Sequence, residues 1–577
     1  MMMMMNIVMY IMSVLALWES AGGTRSCEES RRVYGEKHKL NTAPHTHISG
    51  EHLRVCSQDY TCCSSLMEDT LANQSEANFL SAVQDNTHFL LTTFNQRHKK
   101  FDEFFRELMD VAEKSMDQMF TQTYRHLYTQ NAQMFRQLFA DLRSYYTGGR
   151  VNLAEVLADF WAGLVERMFT LVNPHYQFTE DYLECVSKHT DQLQAFGDIP
   201  HKLRIQVSRA LIAVRALIQG LGAGRDIVSK ATRLNVGVEC VRALMRQWYC
   251  PLCRGVPALK PCHSLCLNVM KGCLANQADL DSEWNNFIDA LMVVLEKVGG
   301  PFNFELATDS VAVKVSEAIM HMQENSVTTS AKVFQGCGNP RPTPGRNKRS
   351  RERERERPFR TYKPEEKPTT AAGTNLDRLV EELQERLRRI RGFWVALPHT
   401  ICNDEKMAAD VTNEDRCWNG QTRGRYHQSV MGDGLVNQIN NPEVEVDVAR
   451  PNVKTRQLIM ELRVATNRLR QAQNGRDADF IDSDAEGSSA SGIGDEVDER
   501  FSDDWSGYIS FSPPLNSVPV NKQPRPRDRG RPRDTPTNKR NRVNGRVRSD
   551  GGRLFPALLL SLSLCLSLSL FQSLGLY

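Results

Sequence analysis

From Glu51 to Thr147 the chain has neither glycine nor proline, and its apolar residues recur mostly at steps of three and four. Leu80, Val83, Leu90, Phe94, Phe101, Phe105 and Leu108 open this stripe, and Met116, Phe120, Tyr124, Leu127, Phe135, Leu138, Leu142 and Tyr146 extend it. One continuous stripe of this period predicts long helix with its apolar face in a core. The same period predicts helices at Leu153 to Leu171, Tyr182 to Phe196, Leu203 to Ile218, Trp284 to Val298, Ala307 to Phe334, Leu376 to Leu397 and Thr455 to Ala472. Strand-like alternation is scarce outside Glu443 to Val448. The chain is therefore expected to be all-α. Gly220-Leu221-Gly222-Ala223-Gly224 looks like a phosphate cradle, but a helix precedes it where a strand is required, so it reads as a helix C-terminus and turn.

Two stretches break the pattern. Residues 339–368 mix proline, glycine and the charge run Arg351 to Arg357, which predicts a solvated, disordered loop. Inside it, Arg346-Asn347-Lys348-Arg349 has the basic spacing read by secretory proprotein convertases. The segment is either cut after Arg349 or an uncut basic loop. From Asn474 to Arg553, serine, glycine, proline, aspartate and arginine replace apolar periodicity, predicting a flexible stalk over 476–553.

Each end carries a processing pattern. Ile7 to Trp18 is a short apolar run before Ser20, Ala21, Gly22 and Gly23, which reads as a signal peptide over 1–23. Residues 554–577 are apolar, uncharged and serine-punctuated, the pattern of a glycosylphosphatidylinositol signal that a lipid replaces. Asn544, Ser549 and Gly551 are the candidate attachment residues, and a tail-anchored span is the alternative. The net charge of +3 hides an acidic stretch, Asp477 to Asp504, ahead of a basic one, Lys522 to Arg553.

Fifteen cysteines are present, and removal of Cys565 with the tail leaves an even fourteen. An even count in a secreted chain predicts a fully bridged framework, each bridge stabilising by roughly 2 to 5 kcal/mol. The spacing of Cys250, Cys253, Cys262 and Cys266 also permits zinc ligation.

Catalytic spacings are missing: there is no Gly-x-Ser-x-Gly, no His-Glu-x-x-His and no Walker loop. The chain is expected not to be an enzyme, with no cofactor and no nucleic-acid partner. Chemistry instead points to modification. Ser491-Gly492 lies among Asp482, Asp484, Glu486, Asp495 and Glu496, the acidic setting favoured by the transferase that starts xylose-linked glycosaminoglycans. Ser506-Gly507 is a weaker second acceptor, and Asn73-Gln74-Ser75 is an N-glycosylation sequon that places Asn73 at the surface.

Several longer strings resemble the glypicans, and in detail their glypican-1 branch. They are Ile48 to Arg54, Cys56 with Tyr60 to Cys63, Leu127 to Ala132, Lys271 to Leu280, Gln335 to Pro340, Cys417 to Gly420, Val430 to Gly434 and Asn437 to Asp447. The resemblance covers residues 24–475 and implies an elongated helical cylinder with a disulfide-bonded, cysteine-rich N-terminal lobe. It also implies the pairs Cys27 with Cys62, Cys56 with Cys250, Cys63 with Cys253, Cys185 with Cys337, Cys240 with Cys273, Cys262 with Cys417, and Cys266 with Cys402. Heparan sulfate on the stalk and a lipid anchor in the outer leaflet follow from the same resemblance. So does a co-receptor or reservoir role for fibroblast growth factors, Wnts, Hedgehogs and bone morphogenetic proteins and their receptors. A core that grips ligand directly is the alternative reading, and a shed extracellular form is compatible with either. The chain departs from its branch in having one good Ser-Gly pair and no stalk cysteine after it.

Overall fold

The computed structural model describes residues 26–38, 43–189, 194–233, 235–343, 376–450 and 452–478. All lie in the first of two units, which meet between Ser489 and Ala490. The predicted signal peptide over 1–23, Arg349 and everything beyond Ala478 fall outside the described residues.

The described chain is helical with one two-stranded ladder. The helices are α1 (Glu28–His38), α2 (Ser65–Tyr124), α3 (His126–Tyr146) and α4 (Leu153–Val172). After β1 (Tyr176–Gln177) come α5 (Glu180–Lys188), α6 (Ile199–Ala231), α7 (Val238–Trp248), α8 (Cys250–Cys253), α9 (His263–Cys273) and α10 (Ala275–Ala278). Then follow α11 (Asp281–Gly299), α12 (Phe304–Glu324), α13 (Ser326–Cys337), β2 (Arg341–Pro342), α14 (Leu376–Arg389), α15 (Phe393–Cys402) and α16 (Val453–Gln473).

Polar side chains set the helix starts. Ser64 accepts from the Met67 amide, Asn152 from Ala154, Asn303 from Leu306 and Asn452 from Lys454, each satisfying a donor with no partner inside its own helix. The 60-residue α2 is the longest element. At 1.5 Å per residue it runs ~90 Å. The predicted single stripe is nonetheless two helices, because the chain turns at Arg125, whose φ of 46° is left-handed. Tyr128 at the start of α3 then packs back on Phe120 with its hydroxyl donating to Asp117.

Other boundaries also differ from the periodicity. Residues 51–64 are loop, not helix, because three cysteines tie them to α8 and α1. Ala307 to Phe334 divides at Asn325, and Leu376 to Leu397 divides where Gly392 takes φ 68°. Glu443 to Val448 forms no strand: it opens on a bend at Glu443 and ends in a turn at Val448. Within the predicted loop 339–368, residues 339–343 are built in: Arg341–Pro342 pairs antiparallel with Tyr176–Gln177, and Thr343 donates to the His175 carbonyl at 2.9 Å.

Helix α6 packs against α2, α11, α12 and α16 at the centre of the bundle. The Gly220-to-Gly224 segment lies inside this helix and is not a turn. Its glycines serve close approach. A Cβ at Gly220 would lie 3.1 Å from Leu291 and Leu469, and one at Gly224 would lie 2.6 Å from the Phe94 ring. Around α11, Trp284 is fully buried and donates to the Ile390 carbonyl, while the Asp281 carboxylate accepts from the Trp394 amide. That pair fixes α14 and α15 to the bundle.

Candidate functional site

The lobe is assembled by sulfur and by one buried carboxylate. Cys27–Cys62, Cys56–Cys250, Cys63–Cys253, Cys240–Cys273, Cys262–Cys417 and Cys266–Cys402 gather the loop before α2 with α7, α8, α9 and α15. The seventh bond, Cys185–Cys337, joins α5 to α13 outside this group. These are the pairs named above. Cys250, Cys253, Cys262 and Cys266 each bond to a different partner, so their sulfurs are not available to zinc. Glu68, 2% exposed, accepts from the amides of Arg54, Val55 and Cys56 at 2.8, 2.7 and 3.1 Å, and so anchors the loop that presents Cys56.

Of the strings that carried the resemblance, Lys271 to Leu280, Cys417 to Gly420, Val430 to Gly434 and Asn437 to Asp447 meet around α9, whereas Leu127 to Ala132 lies in α3 and Gln335 to Pro340 at the end of α13. Asn268 donates to the Ser429 carbonyl and accepts from the Met431 amide, both at 2.9 Å. Lys271, 7% exposed, donates to the Met431 carbonyl and pairs with Asp433 at 3.0 Å. Trp418 is buried, its amide on the Lys260 carbonyl and its indole on the Arg246 carbonyl. Glu443 accepts from the Tyr426 hydroxyl at 2.9 Å and faces Arg246, yet burial pushes its carboxyl above the usual range.

Of the proposed modification residues, Asn73 is described: it is exposed on α2, and Ser75 of the same sequon is buried with its hydroxyl on the Leu71 carbonyl. Arg349, Ser491, Ser506, Asn544, Ser549 and Gly551 lie outside the described residues. The described chain ends in a capped helix: Gly475 takes φ 70°, Arg476 donates to the Gln471 carbonyl, and the Tyr145 hydroxyl donates to Asp477 at 2.6 Å. Core structure thus reaches into the predicted stalk by three residues, Arg476 to Ala478.

One recess went unread in the sequence. A groove of 430 Å³ runs between α6 and α16, floored by Ala216, Gly220, Ala223, Ile227 and Leu469. Met460 and Val464 on its α16 side are 56% and 53% exposed, and a Lys230–Glu461 ion pair at 2.7 Å crosses its rim. Small residues at helical spacing from Ala216 to Ala223 are its signal, hidden by reading the glycines as a turn. Among the described residues, the two groups with metal-ligand geometry, Cys27 with His47 and Cys62, and Cys185 with His189 and Cys337, each spend their sulfurs on a disulfide. No described helix is long and apolar enough to cross a membrane.

A glypican family model matches residues 8–569. Glypican-2 of Mus musculus is 48% identical over 83% of this chain and 83% of its own length. The chain belongs to the glypican family. Glypican-1 of Homo sapiens, the branch read in the sequence, is 45% identical over 81% of this chain and 83% of its own length. The glypican-1 core crystal structure superposes with TM-score 0.71 at 44% identity, over 78% of this chain and all of that one. The Dally-like protein in complex with O-palmitoleoyl serine matches with TM-score 0.62 at 30% identity, over 79% of this chain and all of that one. Glypicans are heparan sulfate proteoglycan core proteins of the cell surface and not enzymes, and this chain is such a core protein.

Proposed function

We propose that the chain is a glycosylphosphatidylinositol-anchored heparan sulfate proteoglycan that concentrates basic growth factors and morphogens for their receptors. Ser491 carries this reading: it is an acidic-flanked Ser-Gly acceptor a short way beyond the last described residue, Ala478. A sulfated chain there attracts basic patches on ligands. A lipid added at Asn544, Ser549 or Gly551 after loss of 554–577 confines the complex near the membrane, which raises the effective ligand concentration. Signal cleavage near Gly22 or Gly23, glycan on Asn73, a second heparan sulfate acceptor at Ser506 and convertase cleavage after Arg349 belong to the same reading.

Ser491→Ala is expected to collapse a high-mass smear on a gel to a discrete core band; a persistent smear places the main acceptor elsewhere. Phosphatidylinositol-specific phospholipase C should release the protein from cells, and resistance to it favours a true span. Growth-factor retention should fall after heparan lyase digestion, and full retention defeats the glycan-centred mechanism.

A second reading gives the core its own ligand. The α6–α16 groove is apolar, open and within the size of small-ligand sites, and the related Dally-like protein was solved with an acylated serine. On this reading an acyl-modified ligand is held independently of glycan. A Ser491→Ala, Ser506→Ala chain should then retain a palmitoleoylated peptide, and Met460→Glu with Val464→Glu should abolish that retention.

A further inference from the structure

Cys185–Cys337 stands apart from the other disulfides. Both of its cysteines are half-buried, whereas the other six bonds have at least one fully buried end and five have two. It fastens a peripheral helix: α5 is nine residues long and buries only Val186. An imidazole sits against the bond. His189, the residue that ends α5, places Nδ1 3.7 Å from the Cys185 sulfur and 4.0 Å from the Cys337 sulfur. The same nitrogen lies 2.7 Å from the Cys185 carbonyl oxygen. A carbonyl accepts only, so Nδ1 carries the hydrogen and is a donor beside both sulfurs.

We propose that Cys185–Cys337 is a thiol-exchange site, opened by a small thiol or a dithiol while the lobe stays bridged, with His189 as the positioning donor for the departing sulfur. An incoming thiolate forms a bond to one sulfur of the pair, and the S–S bond breaks with its electrons leaving on the other. The departing thiolate draws the His189 N–H from the Cys185 carbonyl to itself, and that N–H stabilises its charge until the sulfur takes up a proton. A second thiol then displaces the first. Two thiols are oxidised to one external disulfide, and Cys185 and Cys337 are reduced, each ending with one proton. Exchange needs access and a stabilised leaving thiolate: the half-buried pair offers the first and the nearby His189 N–H the second.

Opening it removes the covalent tie between α5 and α13. The Tyr182 hydroxyl on the Gly338 carbonyl, the β1–β2 pairs and the Phe169, Phe178, Tyr182 cluster remain. The effect is local loosening, not unfolding.

The test titrates the folded full chain with reduced glutathione, quenches with N-ethylmaleimide and maps labelled cysteines by mass spectrometry. Cys185 and Cys337 are expected to label at concentrations that leave the other twelve cysteines paired. Labelling of Cys240 and Cys273, or any lobe pair, first or in step overturns the site. His189→Leu should slow labelling about tenfold, the factor for one hydrogen bond of about 1.4 kcal/mol to the departing sulfur. His189→Gln, which keeps an N–H donor, should retain most of the rate. Equal rates in the leucine variant and the parent overturn the role of His189. A Cys185→Ser, Cys337→Ser chain with unchanged helical circular dichroism is expected if the effect is local, and collapse of the helical signal overturns it.

Discussion

Two carboxylates, the buried Glu68 and the half-buried Glu443, decide much of the packing around the disulfides. Glu68 satisfies three consecutive amides, so Glu68→Ala should leave the buried Cys56 amide and the part-buried Arg54 and Val55 amides without this partner and cost about 2 to 3 kcal/mol in chemical denaturation. Glu443 makes a pH prediction with a definite sign. Burial raises its folded pKa above that of the unfolded chain, although the Tyr426 and Arg246 contacts oppose the rise. The folded state therefore holds this proton more tightly, and the stability tied to it is present at acid pH and lost as pH rises through the raised value. Glu443→Gln removes that loss. Relative to the parent, the variant should gain stability in unfolding midpoints as pH rises above the ordinary glutamate range, about pH 4. A gain toward acid instead would mean that the Arg246 contact outweighs burial. Neither role was legible in the sequence: Glu68 and Glu443 are ordinary glutamates until folding takes them out of water.

At the scale of elements, glycines on one helix have opposite meanings. Gly224 is buried with the Phe94 ring where a Cβ would go, so Gly224→Ala should cost about 1 to 3 kcal/mol by overpacking α6 against α2. Gly222 is half-buried and would meet His98 only at 3.8 Å. Gly222→Ala should therefore stabilise by up to about 1 kcal/mol through helix propensity. Thermal unfolding of the two variants checks both signs. The sequence makes these positions look alike, as a glycine cluster that ends a helix, because periodicity records which residues are apolar and not how near the neighbouring helix lies. The break at Arg125 was hidden for a similar reason: the apolar spacing continues across a turn that only packing of α3 on α2 requires.

The whole molecule bears on cleavage. A cut after Arg349 would divide the described core between α13 and α14, and of the seven disulfides only Cys262–Cys417 and Cys266–Cys402 cross that point. Packing crosses it too, through Trp284 against Trp394, Arg97 with Glu382 at 2.6 Å and α16 against α6 and α11. Convertase-treated protein should run as one species on a non-reducing gel and as two after reduction. Separation without reductant would mean that neither of these two bonds is formed.

The sequence by itself determined the helical class and the family, because apolar period and long motif strings are local properties of the chain, and the proposed modification residues rest on it alone. Its motifs also located the residues around α9, without the reason for them. Only the tertiary structure decided which glycines are contacts, where the long stripe breaks, that an apolar groove lies between α6 and α16, and that His189 stands beside the half-buried disulfide. Each of those depends on distances between residues far apart in the chain, which burial and packing fix and which linear spacing does not record.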